Sequence, residues 1–222
     1  MRVAVVVPVY GNAATLPELV GRLAAALGER TWTVRLVVDA SPDDSAAVAA
    51  GLAAADPRVV PLVLTRNIGQ HRALAAGLAA AQDADAWVCL DADLQDPPEA
   101  VPLLLDRLAA GNVSAVFAGR RGSYESRLRL LTGRVHRALM SRLTGLPPDA
   151  GAFLALDSRA RASVLALQGP SLVAAVGAAR LPTASVPVAR DVRGSGSSAW
   201  TTRARLRQSA RTLLWTLRNR RR

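Results

Sequence analysis

The first half of the chain alternates short apolar runs with longer segments in which apolar residues recur every three or four positions. The short runs are rich in valine and leucine and predict buried strands over residues 3–7, 34–38, 59–64 and 86–90. The helical spacing predicts helices over residues 15–27, 45–54 and 70–81. This strand–helix order predicts an α/β fold with a mostly parallel central sheet and helices on both faces.

The second half of the chain is less regular. Apolar residues on one side and arginines on the other predict amphipathic helices over residues 126–143 and 201–217. Short strands are expected at 153–156 and 186–189. No linker or repeat is visible, so we expect one domain over residues 1–200, followed by a basic amphipathic C-terminal helix over 201–222.

Two interpretations of the C-terminal helix stay open. It carries Trp200, Trp215 and many arginines beside a leucine stripe, which is typical of a helix that lies in a membrane interface. The same stripe would equally suit a helix that packs on the domain and leaves its arginines in solvent.

The charge of the chain points to anionic partners. The formal net charge is +11, and every basic residue other than the two histidines is an arginine. Nine arginines and no acid lie between Arg193 and Arg222, and seven arginines against one acid lie between Arg120 and Arg142. Such patches suit nucleic acid, anionic lipid or phosphorylated substrates. A basic nucleic-acid-binding protein is therefore one alternative on charge alone. Because no recognised binding module is visible and aromatic and basic residues are not interleaved, we expect no nucleic-acid partner.

The cysteine content and the hydropathy bear on the cellular compartment in which the protein is found. Cys89 is the single cysteine, so no internal disulfide forms, and a buried hydrophobe is a better interpretation of it than a nucleophile. The apolar runs are too short for a signal peptide core or a bilayer crossing. We therefore expect a cytoplasmic protein.

The most informative motif is Asp91-Ala92-Asp93, directly after the apolar run at 86–90. It places two carboxylates at the carboxyl edge of a strand, where open α/β sheets bind ligands. Hard oxygen donors at such an edge suit Mg²⁺ or Mn²⁺ beside substrate phosphates. The alternative is a turn before a helix in which Asp96 caps the first turn and Pro97 opens it, but this leaves Asp91 and Asp93 without a role.

Three further motifs follow the other predicted strands. They are Pro8-Val9-Tyr10-Gly11-Asn12, Asp39-Ala40-Ser41-Pro42-Asp43-Asp44-Ser45 and Arg66-Asn67-Ile68-Gly69-Gln70. Since parallel strands end at one edge of a sheet, all of these segments are expected to converge on one crevice.

This succession of motifs, together with Asp149-Ala150-Gly151-Ala152-Phe153 downstream, resembles the family 2 glycosyltransferases. The likeness is strongest to the branch that contains dolichol-phosphate mannose synthase and bacterial polyprenyl-phosphate sugar transferases, and it covers residues 1–210. The resemblance implies a GT-A fold, a nucleotide-sugar donor (a UDP-, GDP- or dTDP-sugar), Mg²⁺ or Mn²⁺, and inversion at the anomeric carbon. It also implies a polyprenyl phosphate acceptor, which would bring the protein to the cytoplasmic face of the membrane.

Carried over position by position, the resemblance implies the following site. The metal ligands are Asp91, Asp93 and Gln95, and the catalytic set is Asp93, Arg120 and Arg134. Arg120 and Arg134 match the arginines that hold the acceptor phosphate, for which a guanidinium fork is well suited. The donor-binding residues are Pro8, Tyr10, Asp39, Arg66, Gly69, Arg193 and Ser198, with Gly196 in the same loop as the last two.

Several positions depart from the family pattern. This chain has Val38 where the family commonly has a second acid, and Gly11-Asn12 where Asn-Glu is usual. It has Ala152 where the branch often has Asp, and Ala199 where it often has Lys. A catalytically inactive relative kept as a scaffold is therefore one alternative, against which Asp91, Asp93 and Gln95 argue.

The scarcity of acids in the second half bears on the acceptor. A sugar hydroxyl needs a general base, whereas a phosphate monoester is mostly dianionic at neutral pH. Downstream of Glu125 the only acids are Asp149, Asp157 and Asp191, which favours a phosphate acceptor and leaves Asp149 as the best base candidate otherwise. A transferase with a soluble or natural-product hydroxyl acceptor is the alternative within enzymes.

Overall fold

The computed structural model describes residues 1–121, 141–142, 144–189, 212, 214–216 and 218. The strands are β1 (Val3–Val9), β2 (Trp32–Val38), β3 (Val59–Val63), β4 (Ala86–Cys89), β5 (Ala115–Arg121), β6 (Leu154–Leu156) and β7 (Thr183–Ala189). The helices are α1 (Leu16–Leu27), α2 (Ser45–Ala55), α3 (Gln70–Ala80), α4 (Val101–Ala109), α5 (Ser158–Leu167) and α6 (Leu172–Ala178), with a 3₁₀ turn at Pro98–Ala100 before α4.

The described strands form one sheet in the order β3-β2-β1-β4-β6-β5-β7. Strand β1 is parallel to both β2 and β4, β2 is parallel to β3, and β5 is parallel to β7. Only β6 runs against its neighbours β4 and β5. The predicted α/β architecture, with a mostly parallel sheet, is confirmed.

The core lies in two layers, one on each face of the sheet. Alternate residues of β1 point to opposite faces, so that Val5 and Val7 join one cluster while Val6 joins the other. The first cluster is covered by α1, α2 and α4, and the second by α3, α5 and α6. Because both faces are buried at the centre of the sheet, β1 and β4 are continuous apolar runs rather than alternating ones.

The strand directions bring the motifs to one edge. Strands β1, β2, β3, β4 and β5 all run in the same direction and end at the same side of the sheet. Strand β6, which lies between β4 and β5, runs in the opposite direction. Since Leu154 at the start of β6 pairs with Cys89 and Phe117, the segment that precedes β6 reaches the same edge as the segment that follows β4. The loop before β6 therefore lies at the same edge of the sheet as Asp91-Ala92-Asp93.

Helix α4 begins differently from the sequence expectation. The helical turn starts at Pro98 and carries no side-chain cap. The side chain of Asp96 is 2% exposed and faces the backbone N–H of Asp91, 3.5 Å away. The alternative interpretation, in which Asp96 caps this helix, is therefore wrong, because its carboxylate turns inward to the loop after β4.

The C-terminal segment is described at five helical positions. Thr212 and Thr216 are buried, Trp215 lies over Gly169, and Leu214 is 57% exposed. In the described part of this segment Trp215 contacts the domain at Gly169, both threonines are buried and Leu214 is turned outward. Most of the helices expected over 126–143 and 201–217 lies outside the described residues.

Candidate active site

The loops after β1 and β2 are joined by the side chains of three residues, Ser41, Asp43 and Ser45, which we call the loop clamp. Ser41 Oγ accepts the backbone N–H of Gly11 at 2.7 Å, and Ser45 Oγ accepts that of Asn12 at 3.3 Å. Both hydroxyls donate to Asp43 Oδ1, at 2.6 and 2.5 Å.

Asp43 is the centre of this clamp. Its second oxygen accepts the backbone N–H of Ala13 at 3.0 Å, so three successive amides, of residues 11 to 13, are bound by clamp side chains. Desolvation acts to raise the pKa of Asp43, but hydrogen bonds from Ser41, Ser45 and Ala13 outweigh it and hold the pKa below its usual range. The clamp fixes where the loop after β1 stands at the sheet edge.

The clamped loop presents Tyr10. Its side chain is 53% exposed, while its backbone N–H donates to Asn12 Oδ1 at 3.2 Å. Asn12, one of the departures from the family pattern, thus has a structural role in holding this turn. Pro8 is buried inside β1, where it pairs with Val37, so the exposed face of the motif is that of Tyr10.

Asp39 is a buried carboxylate at the end of β2. It is 3% exposed, and its two oxygens accept the backbone N–H groups of Ile68 and Gly69 at 2.7 and 2.8 Å. Gly69 has φ +84°, a conformation that favours glycine, and is the N-cap residue directly before α3. Asp39 therefore orders the loop that carries the exposed side chain of Arg66.

The segment after β4 is a tight acidic turn. Asp93 Oδ1 accepts the backbone N–H of Gln95 at 3.2 Å, and Leu94 between them has φ +60°. Left-handed backbone at a residue other than glycine is strained and is held by its surroundings, here by packing of Leu94 on the core. Asp91, Asp93 and Gln95 are all half-buried.

Two contacts connect this acidic turn to its neighbours. Gln70, the first residue of α3, donates from Nε2 to Asp91 Oδ1 at 2.5 Å. Thr15 Oγ1, just before α1, lies 2.7 Å from the carbonyl of Ala92. Sequence reasoning gave neither Gln70 nor Thr15 a role, although Gln70 stood at the end of a motif that was expected at this crevice.

The donor set of the acidic turn fits a hard divalent cation. Among residues 1–121 and the other described residues, no three His, Cys, Asp or Glu side chains gather as in an all-protein metal cage. Mg²⁺ needs no such cage, because it binds through one or two carboxylates together with waters and substrate phosphates. Two half-buried carboxylates at an open sheet edge match that chemistry.

A second group of residues lies at the end of β5. Asp149 Oδ2 accepts the hydroxyl of Ser185 on β7 at 3.0 Å and is packed over Gly119. The next residue, Arg120, continues β5, and its backbone pairs with Val188. The side chain of Arg120 and the whole of Arg134, Arg193, Gly196 and Ser198 lie outside the described residues.

His71 and Cys89 flank the site on the inner side. His71 Nδ1 is buried without a hydrogen-bond partner among the described residues, and burial lowers the pKa of His71. Cys89 is fully buried; desolvation and, secondarily, the charge of Asp91 raise its thiol pKa. The expectation that Cys89 is a structural hydrophobe fits this burial.

Comparison with known sequences places this architecture in a family. The sequence model described as Glycosyl transferase family 2 matches residues 4–149. The undecaprenyl-phosphate 4-deoxy-4-formamido-L-arabinose transferase of Sodalis glossinidius is 40% identical over 147 residues, which is 65% of this chain and 44% of that protein. The transferase of the same name from Pseudomonas aeruginosa is also 40% identical over 147 residues, with 65% and 43% covered. The chain spans less than half the length of these curated relatives.

Solved structures of glycosyltransferases share the fold. Glucosyl-3-phosphoglycerate synthase from Mycobacterium tuberculosis, solved with Mn²⁺, uridine diphosphate and phosphoglyceric acid, superposes with a TM-score of 0.71 at 18% identity, covering 98% of this chain and 78% of that one. Mannosyl-3-phosphoglycerate synthase from Rubrobacter xylanophilus gives 0.66 at 17% identity, covering 100% and 74%. These likenesses confirm the GT-A fold, and together with the match over residues 4–149 they lead to one conclusion. The chain belongs to glycosyl transferase family 2.

Proposed function

We propose that this protein transfers a sugar from a nucleotide-sugar donor to a polyprenyl phosphate, with Mg²⁺ or Mn²⁺ as cofactor and with inversion at the anomeric carbon. The observation that carries the proposal is the convergence of Asp91 and Asp93 with the Asp39 loop at one sheet edge. The relatives that share 40% identity over this region are named for transfer to undecaprenyl phosphate.

The donor half of the site is built by the clamped loop and the acidic turn. The exposed ring of Tyr10 offers a stacking face for the base, and the exposed guanidinium of Arg66 offers hydrogen bonds to it or to the ribose. Asp91, Asp93 and Gln95 would hold the cation against the diphosphate. Bound there, Mg²⁺ or Mn²⁺ neutralises charge on the departing nucleoside diphosphate. A UDP-sugar is the donor that we favour, because glucosyl-3-phosphoglycerate synthase, which shares this fold, was solved with uridine diphosphate.

The acceptor half explains how the reaction proceeds without a strong base. A phosphate oxygen of the acceptor attacks the anomeric carbon, and the bond to the diphosphate breaks with its electron pair leaving on the nucleotide. The acceptor is largely dianionic near neutral pH, so no proton has to be removed from it. Attack from the face opposite the leaving group inverts the anomeric carbon. Arg120 and Arg134 would hold the acceptor phosphate by bidentate contacts.

A lipid acceptor bears on where the protein works. Within the described part of the chain, none of the helices combines the length and the apolar character that a bilayer crossing requires. We propose peripheral contact with the cytoplasmic face of a membrane, supported by the net charge of +11, which favours anionic lipid surfaces. The segment over 201–222 is the proposed contact, with the outward Leu214 as one of its apolar residues.

A transfer assay with purified protein tests the proposal. Undecaprenyl phosphate in detergent is offered with UDP-, GDP- and dTDP-sugars in the presence of Mn²⁺, and parallel reactions contain EDTA or the D93A variant. We expect glycolipid formation with one donor class, a loss of at least a hundredfold in D93A, and no product with EDTA. Product from hydroxyl acceptors alone, or full activity in D93A, would overturn the proposal.

A further inference from the structure

The carboxylate of Asp149 occupies the space above the backbone of Gly119. A Cβ placed on Gly119 would overlap Asp149 Oδ2 and Ser185 Oγ, so only glycine allows the carboxylate to lie there. The Ser185 hydroxyl donates to that same oxygen at 3.0 Å. Among the described residues, this is the hydrogen bond that the structure gives to the side chain of Asp149.

This contact ties three segments together at the sheet edge. Asp149 belongs to the loop before β6, Gly119 lies near the end of β5, and Ser185 lies on β7. The loop is itself fixed, because the N–H of Ala150 donates to Pro147 at 3.1 Å and the N–H of Ala118 donates to Phe153 at 3.0 Å. Asp149 thus packs on the β5 backbone one residue before Arg120 and is hydrogen-bonded to β7.

We propose that Asp149 is a positioning residue for the acceptor phosphate and not the general base of the reaction. It sets the end of β5, and with it Arg120, against β7. Two arguments favour this role over that of a base. The Ser185 hydrogen bond and the contact with Gly119 tie the Asp149 carboxylate to β7 and β5, and a dianionic phosphate brings no proton to remove. This inference rests on the proposed function, since a hydroxyl acceptor would need a base at this place.

Three variants separate the two roles. In D149N the amide oxygen still accepts the Ser185 hydrogen bond, but the side chain no longer takes up a proton. D149A removes both properties, and S185A removes the hydrogen bond while it leaves the carboxylate intact. Steady-state transfer to undecaprenyl phosphate gives kcat and the KM of each substrate, and the melting temperature and the shift caused by UDP with Mn²⁺ check folding and donor binding.

The positioning role predicts a distinct pattern. D149N is expected to keep kcat/KM for the acceptor within about threefold of the wild type and to keep its pH profile. D149A and S185A are expected to raise the acceptor KM by about tenfold, because a hydrogen bond to a charged group is lost, with the donor KM unchanged. S185A keeps the test valid if D149A does not fold.

Other outcomes would overturn the inference. A general base predicts that D149N loses about a hundredfold or more in kcat, like D149A, while S185A stays active. Equal activity in all variants would leave Asp149 without a role. If the wild type transfers to hydroxyl acceptors and ignores undecaprenyl phosphate, the proposed function is wrong and this inference fails with it. Wild-type activity combined with an inactive D149N contradicts the inference alone.

Discussion

Gln70 Nε2 donates a hydrogen bond to Asp91 Oδ1 at 2.5 Å, which connects the first turn of α3 to the acidic turn after β4. The two residues are 21 positions apart in the chain, and both are half-buried. The contact occupies one oxygen of Asp91 and fixes the orientation of its carboxylate. Gln70 therefore helps to determine how Asp91 meets a cation or a nucleotide.

Replacement of Gln70 is expected to weaken donor binding. Q70A removes a hydrogen bond to a charged group, which contributes about 1.5–3 kcal/mol, so we expect Kd for UDP with Mn²⁺ to rise by about tenfold. Q70E places a second carboxylate against Asp91, and like-charge repulsion should make this variant worse than Q70A. Isothermal titration of UDP in the presence of Mn²⁺ measures both.

Gln82, near the other end of α3, provides the matched control. Its side chain is exposed, so Q82A and Q82E should bind UDP like the wild type. If Q70E binds UDP as tightly as the wild type, the hydrogen bond from Gln70 to Asp91 does not contribute to donor binding.

The loop clamp is expected to control the stability of the Tyr10 loop. D43A removes the acceptor for two hydroxyls and for the amides of Ala13 and Ser45, so we expect a lower melting temperature and weaker UDP binding. D44A changes an exposed neighbouring acid that caps no amide of α2, and it should leave both measurements close to the wild type.

The acid dependence of D43A follows from the pKa of Asp43. Because the folded protein holds this pKa below its usual value near 4, ionised Asp43 stabilises the fold at all pH values above about 4. The stability difference between the wild type and D43A should therefore be constant from pH 8 to 5 and shrink at more acidic pH. A difference that disappears between pH 7 and 5 would contradict the clamp.

Sequence patterns predicted the half of the molecule whose strands are buried on both faces. The valine runs of β1 and β2 have no helical alternative of the required length, and the carboxyl-edge rule then brought Asp39 and Asp91 to one crevice. Helices α5 and α6 were not predicted. In α5 only Ala160 and Val164 are buried, so its apolar spacing is weak. Helix α6 has seven residues, of which five are buried, and is too short to show a helical period. Strand β7 begins three residues before the expected residue 186.

Local sequence patterns could not predict the contacts that complete the site. Asp149 meets Ser185 across 36 positions, and the empty side of Gly119 that admits it has no signature in the sequence. Asp before Pro has a local preference to cap a helix, which was the alternative interpretation of Asp96, yet Asp96 is buried facing the N–H of Asp91. Such tertiary contacts override local preferences where the backbone of the acidic turn needs a partner.

Gly77 is expected to be essential for the packing of α3 against the sheet. A Cβ at this position would lie 2.7 Å from Val37 Cγ2 and closer still to Val6 Cγ1, both in the packed core. G77A should therefore destabilise the protein by about 1–3 kcal/mol, as overpacked cores do. Since α3 also carries Gln70 at its first position, activity should fall together with stability.

Gly51 is the matched control for Gly77. It lies in α2, it is exposed, and a Cβ there meets nothing within 4 Å. G51A should stabilise the protein by about 0.5–1 kcal/mol, because alanine loses less backbone entropy in a helix. Chemical denaturation of both variants measures the two changes, and destabilisation of equal size in both would contradict the close-packing argument.

His71 is expected to make the fold sensitive to mild acid. Burial lowers the pKa of His71 in the folded protein below the unfolded value near 6.5. Between these two pKa values the unfolded chain binds more protons than the folded one, so stability falls as the pH falls below about 6.5 and is independent of this group above about pH 7.5. In H71Q, which keeps a polar side chain but does not titrate, the decline between pH 6.5 and 5 should be shallower. Free energies of unfolding at half-unit intervals from pH 8 to 5 measure this, and parallel curves for the two proteins would show that His71 is protonated as readily in the fold as in the unfolded chain.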